Sequence, residues 1–296
     1  ATGSRRLTGQ ASMSGPLADI KVLDFSTLLP GPMASLFLAE AGAQVIKVER
    51  PGHGDEMRTY DPKMGIDSIN FTMLNRGKQS IALDLKNPDE RARLEPLLRE
   101  ADVVIEQFRP GVMARLGLSY EAVCDFRPDV IYCSISGYGQ SGPKRDVAGH
   151  DLNYIGDTGL LALAMGPTQQ PVVPPALIAD IAGGAYPAVL NILLALRQRD
   201  QTGSGTQLDI AMADNLFPFM YWAIGNGMAA GQWPGSGTDL VTGGSPRYQL
   251  YPTKDRKVLA AAPLENRFWT VFCNTIDLAQ SLRDDAQDPQ ATKAGV

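Results

Sequence analysis

The sequence has 296 residues, of which 44% are hydrophobic and 20% are charged, and its formal net charge is −5. These proportions are typical of one large or two smaller globular domains, and they exclude a wholly disordered chain. The mild acidity argues against a nucleic-acid-binding protein, which usually carries a basic surface. No uninterrupted run of 18 apolar residues occurs, so we expect no membrane association and predict a cytoplasmic protein.

Cysteine and histidine are scarce. The three cysteines are scattered and the chain has only two histidines, so we predict neither a disulfide framework nor a metal site. Residues 1–12 lack the apolar segment of a signal peptide and are interpreted as a vector-derived remnant or a disordered leader. The polar stretch 283–296 lacks an apolar period, and we expect it either to fray or to have been cut from something longer.

Strand and helix patterns alternate through the first 136 residues. Short apolar runs predict strands at 20–25, 44–49, 79–85, 102–106 and 129–135. Helix formers between them predict helices at 33–41, 88–100 and 119–126. Repeated strand–helix–strand units are typical of a parallel sheet, so the predicted fold class is α/β with a doubly wound, Rossmann-like architecture.

The second half of the chain is predicted to complete this domain and add a smaller one. A helix is expected over 180–199, with a kink or a late start at Pro187, and 207–213 is either a strand or a helix entry. The glycine-rich stretch 225–244 reads as a flexible connection, followed by a hairpin over 248–262 and a helix over 265–277. We therefore predict a large domain over 13–225 and a linker with a small α+β domain over 226–296.

One glycine-rich segment matches a nucleotide-binding pattern. Gly137 to Gly142 fit G-x-G-x-x-G and follow a predicted strand, but Pro143-Lys144-Arg145 comes next instead of a clean helix. The dinucleotide fingerprint also belongs in the first strand–helix turn of its fold. We therefore prefer a glycine-rich loop that passes near a ligand over a nicotinamide or flavin site.

Three side chains are candidates for proton transfer. His150 lies in a polar loop rather than on an apolar helix face, and histidine is the side chain most easily tuned for proton transfer near neutrality. Asp180 precedes a helix of small residues, where it is either an N-cap or a carboxylate that glycines leave open to a substrate. Glu265 is at the start of a later helix, where, taken alone, its interaction with the helix dipole explains it better than a catalytic role does.

Basic side chains recur after the predicted strands, where parallel sheets bind their ligands. Converging guanidinium groups there suit a phosphate-bearing ligand, although scattered arginines are more often solvated surface. The residues are Arg50, Arg76, Lys78, Arg109 and Arg115.

Several blocks together resemble the class III CoA-transferase (CaiB/BaiF) superfamily, which also contains the α-methylacyl-CoA racemases. The similarity runs from about Gly15 to Phe272. It is carried by blocks at 16–25, 31–32, 45–52, 75–86, 108–111 and 115–117. The resemblance implies an interlocked homodimer and a CoA thioester as substrate, with no prosthetic group. Members of the superfamily usually run longer than this chain, so a C-terminal return segment is expected to be missing.

The two branches of the superfamily are expected to differ at the site. Transferases use an aspartate that becomes a covalent acyl anhydride and then a CoA thioester, and Asp180 matches it. Racemases add a histidine within Gly-His-Asp-hydrophobic-Asn-Tyr, which stands intact here at 149–154. The racemase resemblance gives catalytic roles to His150, Asp180 and Glu265, with Glu265 orienting the imidazole. Residues expected to bind CoA are Arg50, Asn75, Lys78, Leu83, Leu85, Arg109 and Arg115.

The resulting hypothesis is inversion of the α-carbon of a 2-methylacyl-CoA. One group removes the α-proton from one face to give an enolate, and another returns a proton to the opposite face. The alternative is a CoA transferase that uses Asp180 as its nucleophile, and a non-catalytic CoA-binding protein is a further alternative. An apolar surface around Phe217, Met220, Tyr221 and Trp222 is either an acyl-chain site or ordinary core. The acyl chain itself stays open.

Overall fold

The computed structural model describes residues 15–164 and 172–296, so the predicted leader over 1–12 lies outside the described residues. Contacts between Cα atoms divide the chain into two compact units. The first contains the described residues up to Tyr154 together with Ile178–Asn215; the second contains those of Ile155–Leu177 and Leu216–Val296. Such clustering defines compact units rather than independently folding domains, so the division at 225/226 stays a prediction.

Ten strands occur in the described residues. Their bounds are β1 Lys21–Asp24, β2 Gln44–Glu49, β3 Lys63–Met64, β4 Asp67–Ser68, β5 Gln79–Ala82, β6 Val103–Glu106, β7 Ile131–Ser136, β8 Thr206–Ala211, β9 Gln249–Pro252 and β10 Val258–Ala261.

Twelve α-helices occur in the same residues. Their bounds are α1 Pro30–Glu40, α2 Ile69–Asn75, α3 Pro88–Ala92, α4 Glu95–Glu100, α5 Val112–Arg115, α6 Tyr120–Cys124, α7 Asp151–Asp157, α8 Leu160–Ala164, α9 Tyr186–Thr202, α10 Tyr221–Ala230, α11 Asn266–Thr275 and α12 Pro289–Gly295. A π-helical turn, Ala179–Ala185, leads into α9, and short 3₁₀ segments occur at Glu56–Thr59, Asp214–Met220, Leu240–Thr242 and Gln280–Leu282.

A six-stranded, wholly parallel sheet organises the first unit. The strand order is β5-β2-β1-β6-β7-β8, which is the doubly wound order 3-2-1-4-5-6 and confirms the predicted α/β class. The order reverses between β1 and β6. Ligands of open parallel sheets bind outside the carboxyl ends of the strands at such a switch point.

Helices cover both faces of this sheet. One face presents Leu23, Val104 and Tyr132 to a buried apolar cluster that includes Leu98 of α4 and Val123 of α6. The side chain of Asp24 points to the other face, because successive strand residues alternate. The Ser35 hydroxyl of α1 donates to that carboxylate, which places α1 on the second face, where it also contacts α9.

Two predicted helices of the first unit differ in the structure. The helix predicted over 88–100 is broken into α3 and α4, because Pro96, in the first turn of α4, has no N–H to donate to a carbonyl of the preceding turn. The helix predicted over 180–199 starts late as an α-helix, with Pro187 in its first turn. Residues 207–213, left open between strand and helix, form β8.

One continuous helical stretch, Ala179–Thr202, is long and apolar enough to cross a membrane by length and composition. Its best window has a mean hydropathy of 1.5 and is 44% buried within the protein. Its α9 portion contacts β7, β8 and α1. We therefore interpret it as a core helix of the first unit.

The second unit confirms the predicted hairpin, which is β9 paired antiparallel with β10, and the predicted helix, which is α11. The prediction of a flexible connection over 225–244 is wrong for its first part, which lies in α10. Gly227 is required there because a Cβ atom would lie 2.4 Å from the indole of Trp233. Fraying, one of the two alternatives for 283–296, is wrong for its last part, where Asp288 accepts the N–H groups of Gln290 and Ala291 and caps α12.

Candidate functional site

A cavity of about 500 Å³ lies at the switch point of the parallel sheet. Thr27 and Leu28, which follow β1, form part of its wall, and 107–110, which follow β6, form another part. The segment 145–150 and Asp180 complete it. All of these residues belong to the first unit.

His150 lines this cavity and is the residue directly before α7. Its backbone carbonyl accepts the N–H groups of Asn153 at 2.8 Å and Tyr154 at 3.3 Å, and its own N–H donates to Oδ1 of Asn153 at 3.0 Å. The Tyr154 hydroxyl donates to the carbonyl of Gly149, where a Cβ atom would lie 2.8 Å from the tyrosine ring. The Gly-His-Asp-x-Asn-Tyr pattern is therefore a compact helix start that fixes the histidine backbone.

Asp180 lines the same cavity from the π-helical turn before α9. Its N–H donates to Oδ1 of the buried Asp151 at 3.0 Å. The residue next to His150 is thus hydrogen-bonded directly to the backbone of Asp180. Contact between two segments thirty positions apart is what the hypothesis of a shared site requires.

The carboxyl group of Asp180 is perturbed. Burial raises its pKa from 3.8 to about 6, and the nearby charge of Asp151 also raises it, while the charge of His150 lowers it. A carboxyl group with a pKa near 6 can both accept and release a proton close to neutrality. Perturbed side chains of this kind are concentrated at functional sites.

The third predicted catalytic residue, Glu265, belongs to the second unit. It is the exposed N-cap residue of α11, and its side chain caps none of the helix N–H groups. Its position agrees with the expectation of a residue at a helix start. Its predicted role of orienting His150 stays a prediction.

A second cavity, of about 340 Å³, adjoins the carboxyl ends of β2 and β5. Three of the residues predicted to bind CoA line it: Arg50, Leu83 and Leu85. Thr27 and Phe108 line both this cavity and the first one. The two spaces therefore share walls, so that one extended ligand can be in contact with both.

Arginine side chains converge where β6 ends. Arg109 lines the first cavity. A Cβ atom on Gly111, whose φ is +79°, would lie 3.4 Å from a guanidinium nitrogen of Arg115 and 3.9 Å from one of Arg145. Sequence reasoning selected Arg109 and Arg115 but missed Arg145, which also lines the first cavity. The sequence signal for Arg145 is the pair of basic residues in Pro143-Lys144-Arg145, directly after the glycine-rich segment 137–142.

Lys78 and Asn75 point away from both cavities. The buried ammonium group of Lys78 donates to the Asn75 amide oxygen at 2.8 Å and to the Pro32 carbonyl at 2.8 Å, and it lies 3.4 Å from Asp24. Burial lowers the pKa of Lys78 to about 8, although the charge of Asp24 opposes this. These side chains join α2 to the start of α1, and their predicted contact with CoA is not supported by a position at either cavity.

The aromatic and methionine residues proposed as an acyl-chain surface lie in the second unit. Phe217 and Met220 line a small apolar cavity there, of about 350 Å³. Met220 is buried while Phe217 and Tyr221 are exposed. The structure thus supports the core interpretation for Met220, leaves Phe217 and Tyr221 on the surface, and places Trp222 half-buried.

The fold and the site geometry agree with the comparisons with known proteins. The chain matches CoA-transferase family III over residues 17–294 and belongs to that family. It is similar to the acetyl-CoA:oxalate CoA-transferase of Acetobacter aceti, with 38% identity over 77% of this chain and 58% of that protein. It is similar to human alpha-methylacyl-CoA racemase, with 35% identity over 88% of this chain and 65% of that protein.

Solved structures support the same assignment. A CAIB/BAIF family protein from Brucella suis superposes with a TM-score of 0.79 and 30% identity, covering 95% of this chain and 75% of that one. The chain spans about three fifths of the length of the curated relatives named above. A transferase and a racemase stand at similar identity, so the family is shared by both activities.

Proposed function

We propose that this chain inverts the α-carbon of 2-methylacyl-CoA thioesters, with His150 and Asp180 as the two proton-transferring groups. The observation that carries the proposal is that both side chains line one cavity at the switch point. Asp151 reinforces it, because this residue adjoins His150 in the chain and accepts the N–H of Asp180. A carboxylate used only as a nucleophile does not require an imidazole in the same cavity.

The chemistry needs two groups in opposite protonation states. One removes the α-proton of the thioester to give an enolate, and the other returns a proton to the opposite face. The pKa of about 6 at Asp180 supports such exchange, since the group changes charge near neutrality. The charge of His150 lowers the pKa of that carboxyl group, so the two side chains are close enough for the histidine to act on the protonation of Asp180. In this proposal Glu265 orients the imidazole.

The CoA portion of the substrate is proposed to occupy the second cavity and the arginine cluster. Arg115 and Arg145 lie next to Gly111, and Arg109 and Arg145 line the first cavity. Guanidinium groups pair with phosphate oxygens in a bidentate manner. The second cavity has an apolar wall that includes Leu83 and Leu85, with Arg50 at its edge. Apolar walls beside a charged group suit a nucleotide that carries phosphates.

A CoA transferase is the second candidate, favoured by the 38% identity to the acetyl-CoA:oxalate CoA-transferase. In that reaction the Asp180 carboxylate attacks the thioester carbonyl, CoA thiolate leaves, and an acyl anhydride forms. The thiolate then attacks the aspartyl carbonyl and releases the first carboxylic acid. The acceptor carboxylate completes the exchange by the same two steps in reverse. His150 has no required role in it.

Isotope exchange separates the two functions. The protein is incubated in D₂O with a chiral 2-methylacyl-CoA and, in parallel, with an added free carboxylic acid. We expect α-deuterium to enter the thioester with loss of chirality, and His150→Ala to abolish both. The matched control is His53→Ala, which removes the other histidine of the sequence, an exposed residue outside the walls of the first cavity. Formation of a new acyl-CoA from the added acid, without deuterium entry, would instead establish the transferase. In that case hydroxylamine should also trap an activated acyl intermediate on Asp180.

We also propose that the chain acts as a homodimer. An apolar stripe on α9 supports this, because Tyr186, Leu190 and Leu194 recur every four residues and are each 58–59% exposed. Residues spaced by four lie on one face of a helix. Contiguous exposed apolar surface of this kind usually marks a protein contact.

A further inference from the structure

A row of three polar side chains crosses the sheet next to the first cavity. Glu106 of β6 is the register partner of Ser134 of β7, and Ser134 is the register partner of Asp209 of β8. Neighbouring residues in register point to the same face of a sheet. Two carboxyl groups from strands that are not adjacent are therefore held on either side of one serine.

Glu106 holds the turn that follows β6. Its carboxyl oxygen accepts the N–H of Phe108 at 2.9 Å, two residues further along the chain. Within the same turn, the amide oxygen of Gln107 accepts the N–H of Gly31 at 3.0 Å. Gln107, Phe108 and Arg109 all line the first cavity. The shape of this wall thus depends on a carboxyl group that does not itself line the cavity.

Asp209 holds the loop that follows β7. Its Oδ2 accepts the N–H of Gln140 at 2.9 Å. Gly139 lies against the same carboxylate, where a Cβ atom would be 3.3 Å from Oδ2, and its φ of +85° favours glycine. Ser136 accepts the N–H of Gly139 at 3.0 Å, and Ser136 lines the first cavity. The two loops after β6 and β7 are each anchored by one member of the carboxyl pair.

The pair is electrostatically coupled. Glu106 is buried and has no ion-pair partner among the described residues. Its pKa is raised from 4.5 to about 7, chiefly by burial and to a smaller extent by the charge of Asp209, against the lowering effect of hydrogen bonds from Ser134 and the Phe108 amide. The other titratable neighbours are Tyr132 and Cys133 of β7, whose own pKa values are raised by burial and by Glu106. Neither neighbour supplies a compensating positive charge.

We propose that Glu106 and Asp209 are a coupled pair of positioning residues for the two loops of the first cavity. The charge on Glu106 then sets the order of the turn 107–109 and, with it, the affinity for the CoA ester. The ligand part of this inference rests on the proposed function. An ionised acceptor binds an N–H more strongly than a neutral one does, so the ionised form of Glu106 is the ordered, ligand-ready form.

The first test needs no ligand. Side-chain carboxyl signals of ¹³C-glutamate-labelled protein are followed from pH 5 to 9, with Glu106→Gln used to assign the Glu106 signal. We expect a midpoint near 7, the same midpoint in the amide signal of Phe108, and a lower midpoint in Asp209→Asn. A midpoint near 4.5, or one that Asp209→Asn leaves unchanged, overturns the pair. The Asp209 variant keeps Glu106 itself, so the coupling stays testable if Glu106→Gln folds poorly.

The second test measures the affinity for free CoA by calorimetry between pH 6 and 8. The charged-to-neutral change at one hydrogen bond predicts that wild-type affinity exceeds that of Glu106→Gln by about fivefold at pH 8 and converges with it at pH 6. Asp129→Asn, at the amino end of β7, is the matched control and should follow wild type. Equal pH profiles for wild type and Glu106→Gln refute the effect on affinity. Absence of CoA binding at every pH refutes the proposed function and leaves the outcome of the ligand-free test standing.

Discussion

Replacement of Asp180 by asparagine should make the folded protein more stable above pH 6 while abolishing turnover. Asparagine keeps the shape of the side chain and removes its charge. Burial and the charge of Asp151 hold the pKa of Asp180 at about 6 in the folded state, against 3.8 for an ordinary aspartate. The folded state therefore binds this proton more tightly than the unfolded state does.

The sign of the effect follows from proton linkage. Below pH 3.8 the carboxyl group is neutral in both states and costs nothing. Between 3.8 and 6 the folded state keeps more protons, so stability falls as the pH rises, and the loss is complete above 6. A shift from 3.8 to about 6 corresponds to at most about 3 kcal/mol at 1.36 kcal/mol per unit. Asp180 is only partly buried and lines an open cavity, so solvent screening reduces the expected gain to about 1–2 kcal/mol.

Urea unfolding of wild type and Asp180→Asn at several pH values between 5 and 8 measures this directly. The variant should gain stability relative to wild type as the pH rises through 6. Asp146→Asn is the control, because it removes an exposed carboxyl group from the wall of the same cavity and should change little at any pH. A difference between wild type and Asp180→Asn that does not vary with pH, or a variant that is less stable at pH 8, would refute the electrostatic reasoning.

Two further predictions concern the ligand and the assembly. Arg115→Ala should weaken CoA binding by about tenfold and reduce its salt dependence, since one charge-assisted phosphate contact is lost; calorimetry at two salt concentrations checks this, with the exposed Arg99→Ala as control. Leu190→Glu should convert a dimer to a monomer in light scattering, because it places a charge on the apolar stripe of α9. The control Ile66→Glu, on the hairpin tip between β3 and β4, should remain dimeric, and a Leu190→Glu variant of unchanged mass would contradict the assignment of this face.

The parallel sheet could be predicted because its central strands, such as β6 and β7, are buried on both faces and appear in the sequence as short, mainly apolar runs. The segment 44–49 coincides with β2, because its apolar residues are bounded by a polar residue at each end. The break between α3 and α4 was also readable from Pro96, although the helical pattern on either side obscured it. In contrast, 225–230 lie in α10 although they contain two glycines, and the indole of Trp233 lies against Gly227. Glycine content alone does not predict this contact.

The site was predictable to different degrees at its different residues. His150 and Asp180 were selected from a motif, and the fold brings both to one cavity. Lys78 was selected as one of the basic side chains near the predicted strands, but its ammonium group is held by partners that include Asp24, a carboxylate 54 residues earlier. Glu106 was not selected, because its partner Asp209 is distant in the chain and becomes a neighbour only through the strand order β6-β7-β8.

Charge also fixes the loop after β1, which contributes Thr27 to both cavities. Leu28 has a φ of +61°, which a branched side chain rarely adopts and which costs about 1–3 kcal/mol. Its N–H donates to Asp55 at 3.1 Å, and the buried ammonium group of Lys47 pairs with Asp55 at 3.0 Å and donates to the Ser26 carbonyl at 2.6 Å.

A buried ion pair of this kind adds little net stability, because the desolvation of two charges offsets their attraction. Its effect here is conformational. The Asp55 carboxylate is held by Lys47 and the Asp55 N–H donates to Glu49 at 2.7 Å, so the acceptor of the Leu28 N–H has a fixed position. Apolar packing alone tolerates several arrangements of a loop, whereas a buried carboxylate requires its donors. The wall common to the two cavities is therefore set before any ligand arrives, as the proposed placement of a thioester between two proton-transferring groups requires.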